Sequence, residues 1–142
     1  MKKLEIKVET FSVNLDAATA GRNDRDPATG AYRLHVCANI EADEEFKNLS
    51  ANDLKARGFP SITLTERLLL GLTFFIATDR NGQPDADERH LDRDNTTLCA
   101  GSRRSDGFVP RVSWDRDSRK ACVDWCSPDY FRSGLRSCSV VS

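Results

Sequence analysis

The sequence predicts an α+β fold: one antiparallel sheet with two helices on one face, in the order ββααβββ. Three observations carry this. Apolar and polar residues alternate near both ends of the chain, the period of half-buried strands. In the middle, Leu68, Leu69 and Leu72, followed by Phe75 and Ile76, recur at helical spacing. Turn residues then cut the last third into short apolar–polar runs, as in hairpins. Strands at both ends with helices between them favour helices gathered on one side of an antiparallel sheet.

The first alternating run is Leu4, Ile6 and Val8, after which the apolar phase slips to Phe11, Val13 and Leu15. A one-residue slip turns a strand over, and a bulge near Glu9 and Thr10 would reconcile the halves. Residues 16–30 are rich in Asp, Asn, Ala, Thr and Gly and read as a long loop. Alternation resumes at Tyr32, Leu34, Val36, Ala38 and Ile40. The two runs are expected to pair as an antiparallel hairpin with a long, exposed tip. Ser50 stands three residues before Asp53, a capping-box spacing. It opens a short helix to Arg57, stopped by Gly58 and Pro60. Thr63 or Thr65 caps the next helix, over 64–77, the expected core element. A strand over 72–77 is the competing reading, because Thr73, Phe74, Phe75 and Ile76 favour strands. After an acidic, turn-rich loop at 79–94, Ser105-Asp106-Gly107 makes a turn. Asp115-Arg116-Asp117-Ser118 makes another, joining Val109–Trp114 to Lys120–Cys126 as a hairpin that ends at Ser127-Pro128-Asp129. Residues 137–141 supply an edge strand.

With 142 residues, 39% hydrophobic and 30% charged, residues 1–142 are expected to form one domain that buries its core without metal or disulfide help. The longest apolar stretch, 68–77, is too short to span a bilayer. The first residues alternate apolar with charged rather than forming the continuous apolar core of a signal peptide. The expectation is a soluble cytoplasmic protein with no membrane partner. Its five cysteines, Cys37, Cys99, Cys122, Cys126 and Cys138, are an odd number, expected as reduced and mostly buried thiols.

Two patterns are candidates for a site. Counted as a twelve-residue calcium loop from Ala77, the acidic stretch places Asp79, Asn81, Asp85 and Glu88 at ligand positions 3, 5, 9 and 12, with Gly82 at the turn position 6. Ala77 stands where the first carboxylate belongs, so charge and one ligand are lost, and a solvated turn at Asn81-Gly82 is the competing reading. The second pattern is basic. Net charge is −1 overall, but residues 1–98 carry −4 and residues 99–142 carry +3. Arg103, Arg104, Arg111, Arg116, Arg119 and Lys120 interleave with Trp114 and Trp125, as a single-strand nucleic-acid surface would. The parity of Trp114 with Val112, and of Trp125 with Val123, turns both rings toward the core.

Other chemistry is thinner. His35 and Cys37 are about 7 Å apart on one strand face, too far for a nucleophile–base pair; Cys122 and Cys126 are about 13 Å apart and could be ligands only if the strand ended before Cys126. Zinc would need further ligands from elsewhere. Paired acids such as Asp85 with Asp87 and Asp115 with Asp117 lie in turns, where Asp serves local hydrogen bonding. No phosphate loop, nucleophile elbow or zinc-protease motif occurs. The sequence therefore points to no catalytic residue and no cofactor. It favours a small non-catalytic protein-binding or regulatory module. The alternatives are nucleic-acid binding through the basic third and, last, an enzyme of unidentified class.

Overall fold

The computed structural model describes residues 8–10, 14–37, 39–78 and 89–141. In chain order these form strand β1 (Val8–Thr10), helix α1 (Leu15–Thr19), strand β2 (His35–Val36), helices α2 (Ala51–Ala56) and α3 (Leu64–Ala77), and strands β3 (Thr96–Leu98), β4 (Val109–Asp115), β5 (Lys120–Cys126), β6 (Leu135–Arg136) and β7 (Val140–Val141). Helices and strands mix as the α+β class requires. The finer order differs from ββααβββ, because α1 precedes β2 and five strands follow α3.

Local signals explain the central helices. Ser50 Oγ accepts from the Asp53 amide while the Asp53 carboxylate accepts from the Ser50 amide, a reciprocal cap that satisfies two otherwise orphaned donors. Thr63 and Glu66 repeat the arrangement at the start of α3. The helix then runs to Ala77, so the strand alternative over 72–77 does not hold. Gly58 follows α2 at φ 72°, a left-handed stop that glycine takes without steric cost.

The main sheet has the order β1-β5-β4-β3-β6. Strands β4 and β5 form the expected hairpin, in register from Val109 opposite Cys126 to Asp115 opposite Lys120. β3 lies antiparallel to β4, whereas β1 joins β5 and β6 joins β3 in parallel, so the sheet is mixed. The expected N-terminal hairpin is replaced: β1 docks on β5, and β2 pairs with the C-terminal β7 in a separate two-stranded sheet. The bulge expected near Glu9 and Thr10 does not appear there: Val8, Glu9 and Thr10 pair in unbroken register with Ala121, Cys122 and Val123. The stretch 16–30 is not simply a loop. It begins within α1, whose Asn14 cap accepts from Ala17, and carries a 3-10 turn at Pro27–Thr29.

The two helices do not share a face. Val112, Val123 and Cys99 point to one side of the sheet and pack with Ile62 and Leu64 at the start of α3. Val109, Cys126, Leu98 and Leu135 point to the other and pack with Ala51 and Leu54 of α2. The register allows nothing else, since strand neighbours alternate sides. One sheet thus separates two cores. Among the described residues, no helix is long and apolar enough to cross a membrane.

Gly101 holds the first core closed. Its amide donates to the Ile62 carbonyl, and a Cβ there would lie 2.5 Å from the Ser61 carbonyl oxygen and 3.0 Å from that of Ile62. Both are backbone atoms of the segment that launches α3, so Gly101→Ala is expected to cost about 2–3 kcal/mol by overpacking. At Gly134 a Cβ would meet nothing within 4 Å, and Gly134→Ala should stay within about 0.5 kcal/mol of wild type. Urea midpoints of the two variants, measured side by side, check this.

Candidate functional site

Helix α3 is apolar on nearly every side, and its two charged residues are consecutive. Glu66 and Arg67 lie about 100° apart around the helix and leave it in different directions. Glu66 turns toward the 25–32 segment. Its Oε1 accepts from Arg25 Nε at 2.7 Å and from the Tyr32 hydroxyl at 2.9 Å, and its Oε2 accepts from Arg25 Nη2 and the Thr63 amide, both at 2.8 Å. Burial pushes the Glu66 carboxyl up, but the Arg25 guanidinium, the Thr63 amide and the Tyr32 hydroxyl outweigh it and hold it below its ordinary value. Arg67 turns toward the sheet. Its Nε and Nη2 donate to Asp92 Oδ2 at 3.0 and 2.6 Å, and the Thr97 hydroxyl donates to the same oxygen at 2.5 Å. Burial raises the Asp92 carboxyl, and the Arg67 and Thr97 contacts pull against it.

A cleft opens beside each pair. One, of about 270 Å³, lies between α3 and the β4–β5 hairpin and is lined by Arg67, Gly71, Leu72, Val112 and Trp114. The Trp114 ring is stacked on His90, with centroids 3.5 Å apart and planes 6° from parallel. The other, of about 360 Å³, lies between α3 and the 27–36 segment and is lined by Tyr32, Leu34, Glu66, Leu69 and Thr73. Between them stands a ridge of exposed side chains: Leu69 at 56%, Leu72 at 36% and Ile76 at 57%. Their spacing of three and four places them on one stripe. At the far end of α3, Arg89 lies over the Phe75 ring at 3.7 Å and donates to the Phe75 carbonyl at 2.8 Å, a cation on the last turn's free carbonyls.

The six basic residues singled out from the sequence do not form one patch. Arg103 and Arg104 precede β4, whereas Arg116, Arg119 and Lys120 lie at its other end, about 20 Å away by strand rise. Arg111 sits between them, on the face that carries α2. Three of them are answered by acids: Arg104 by Asp106, Arg111 by Asp124 and Arg116 by Asp94. Arg104 also lies over the Phe108 and Trp125 rings, at 5.1 and 5.0 Å. Arg103 is half-buried, with Nη1 unbonded among the described residues. Arg119 is exposed in the hairpin turn at φ 55°, and Lys120 opens β5 opposite Asp115. Trp114 and Trp125 are 6% and 8% exposed, as their parity implied.

Asp79, Asn81, Asp85 and Glu88 lie outside the described residues. Among the described residues, no cluster of three or more His, Cys, Asp or Glu is placed to hold a metal. None of the five cysteines is in a disulfide; Cys37 is exposed, Cys122 half-buried and the others buried. Burial raises Cys99 and Cys126 and carries Cys138 up to about 12, while Cys37 is raised chiefly by the Asp43 carboxylate. A nucleophilic cysteine needs the opposite shift.

The sequence offered Thr63 or Thr65 as the cap of α3, and the structure uses Thr63; the role of Glu66, in the cap and as partner of Arg25 and Tyr32, was not foreseen. Arg67 and Asp92 carried no local signal at all. Gly71 carried a faint one, as an interruption inside a helical run. No protein-family model, curated protein or solved structure matches the chain.

The Glu66 network predicts a pH response. Because its folded-state value lies below the ordinary 4.5, its contribution to stability is full above that value and is lost as pH falls through the lower one. Urea midpoints from pH 6 down to 3 should therefore fall more steeply for wild type than for Glu66→Gln. At pH 7 that variant should already be about 2–3 kcal/mol less stable, from the lost charge-assisted bonds. Parallel pH curves would remove Glu66 as the responsible group.

Proposed function

We propose that the chain is a non-catalytic protein-binding module that receives an amphipathic helix of another protein on the outer ridge of α3. The observation that carries this reading is the exposure of Leu69, Leu72 and Ile76 on one stripe, with an apolar cleft on each side. A helix normally turns charged residues to water. Here both charges of α3 are spent inward, and its outward face is left uncharged. A ridge between two grooves is the shape that the ridges of a second helix fit, and an uncharged face selects an apolar stripe over a charged one.

The buried state of Trp114 and Trp125 favours this reading over nucleic acid, because single-strand binding needs rings on which bases can stack. The acids that answer Arg104, Arg111 and Arg116 weigh the same way, since phosphate binding draws on uncompensated cations.

A photo-reactive residue at position 76, introduced in cells, is expected to crosslink one defined protein. Leu69→Lys should remove the crosslink and weaken binding of the recovered, purified partner at least tenfold. Leu69 points to solvent, so this variant should keep its stability within about 0.5 kcal/mol. If ridge variants bind the recovered partner as tightly as wild type, the reading fails. Binding of labelled single-stranded DNA that fades between low and moderate salt would transfer it to nucleic acid.

A further inference from the structure

We propose that the cleft between α3 and the β4–β5 hairpin is a binding site for a compact, planar, largely apolar molecule that presents an uncharged hydrogen-bond acceptor, such as a ketone carbonyl, to Arg67 Nη1. This does not rest on α3 docking a protein.

Gly71 is the first reason. Glycine in a helix interior costs about 1 kcal/mol relative to alanine, and Gly71 sits in the middle of the fourteen-residue α3. A Cβ at this position would lie 2.8 Å from Arg67 Nη1, the one contact within 4 Å among the described residues outside the helix's own backbone. What the glycine makes room for is that nitrogen itself, which lies against the helix where a side chain would begin. Both residues line the cleft.

The donor itself is the second reason. A guanidinium offers five N–H groups in a fixed fork. Those of Nε and Nη2 serve Asp92 Oδ2, while Nη1 makes no hydrogen bond among the described residues. Arg67 is held in place by a buried carboxylate, so the donor is already oriented before anything arrives.

The walls and the charge set the ligand's chemistry. Leu68, Leu72, Leu91 and Val112 supply apolar surface, and the Trp114 ring, stacked flat on His90, gives a planar wall. The volume, about 270 Å³, lies near the small end of ligand pockets. Asp92 already neutralises Arg67. An anionic ligand would therefore bring an unmatched charge into a low-dielectric cleft, which is unfavourable. A neutral acceptor completes the guanidinium at no such cost.

The test uses three probes of similar size: acetophenone, ethylbenzene and benzoate. Binding is followed through the indole resonance of Trp114 in the full chain. Acetophenone should bind about 3- to 10-fold more tightly than ethylbenzene, the net value of one hydrogen bond, and benzoate more weakly than acetophenone. Gly71→Ala should bring the acetophenone-to-ethylbenzene ratio close to one. Ala121→Leu, which fills the cleft from β5, should abolish binding of both. Leu69→Lys lies outside this cleft and should leave the ratio unchanged, so failure here and failure of the protein-binding reading are separable. The proposal is overturned if no probe moves the Trp114 signal, if ketone and hydrocarbon bind alike, if benzoate binds best, or if Gly71→Ala folds and keeps the wild-type ratio. Should Gly71→Ala not fold, the wild-type ratio and the Ala121→Leu result still decide.

Discussion

Two adjacent residues of opposite charge, Glu66 and Arg67, fix how helix α3 is turned. The hydrophobic effect alone would leave its rotation poorly specified, because Leu64, Leu68, Leu70, Phe75 and their neighbours offer apolar surface in most directions, and burial has no directional preference. The ion pairs do have one. Glu66 meets Arg25 and Tyr32 on one flank, and Arg67 meets Asp92, itself held by the Thr97 hydroxyl, on the other. A helix rotated by one residue would leave two charges buried without partners, at several kcal/mol each. Buried pairs are weak contributors to net stability, since desolvation offsets most of their attraction. Here their effect is to select one rotation out of several that bury similar area, and that rotation sends Leu69, Leu72 and Ile76 outward.

The same clamp organises the neighbouring chain. Arg25 donates to the Ser61 carbonyl as well as to Glu66, which draws the 23–32 segment onto the start of α3. Asn23 bridges Ser102, whose hydroxyl donates to Asn23 Oδ1 and accepts from the Leu64 amide. A stretch whose composition reads as a free loop is thereby tied to α3 and to the turn that precedes β4. Gly101 completes the junction by letting that turn approach the 61–62 backbone.

What was legible in the sequence was what local physics decides. Ser50 with Asp53, a threonine cap on the next helix, and the Asp115–Ser118 turn with its flanking strands all act within a few residues, and each appears, the cap falling to Thr63 of the two candidates Thr63 and Thr65. The pairing of β1 with β5 and of β2 with β7 is decided by contacts across more than a hundred residues. Alternation at Leu4–Val8 and Leu34–Val36 marks strand-like chain but says nothing of its neighbour. Two adjacent alternating runs favour a hairpin by default, and here the more distant partners win. The placing of α2 and α3 on opposite faces was hidden for a related reason. β4 and β5 carry apolar residues on both parities at one end, Val109 and Cys126 beside Pro110 and Trp125, and that end alone is covered twice. Of the candidate site, the inward turn of Trp114 and Trp125 was legible from parity, whereas Arg67, Asp92 and Gly71 meet only in the folded chain.

The charge asymmetry along the sequence shows how a count differs from a field. A surplus of +3 over residues 99–142 suggests a basic face, yet folding sets Asp124 beside Arg111 and Asp106 beside Arg104, and brings Asp94 from the acidic stretch to Arg116. The exposed cations are divided between the two ends of a strand and between the two faces of the sheet, so their potentials do not add at one place. Helix α3 shows the reverse: both of its charges are consumed inside, and apolar surface with two clefts is left at the boundary with water. A partner held by phosphate contacts would find scattered, partly neutralised arginines. A partner or ligand held by apolar contact would find a continuous ridge, two grooves and one fixed donor, all referred to the same clamped helix.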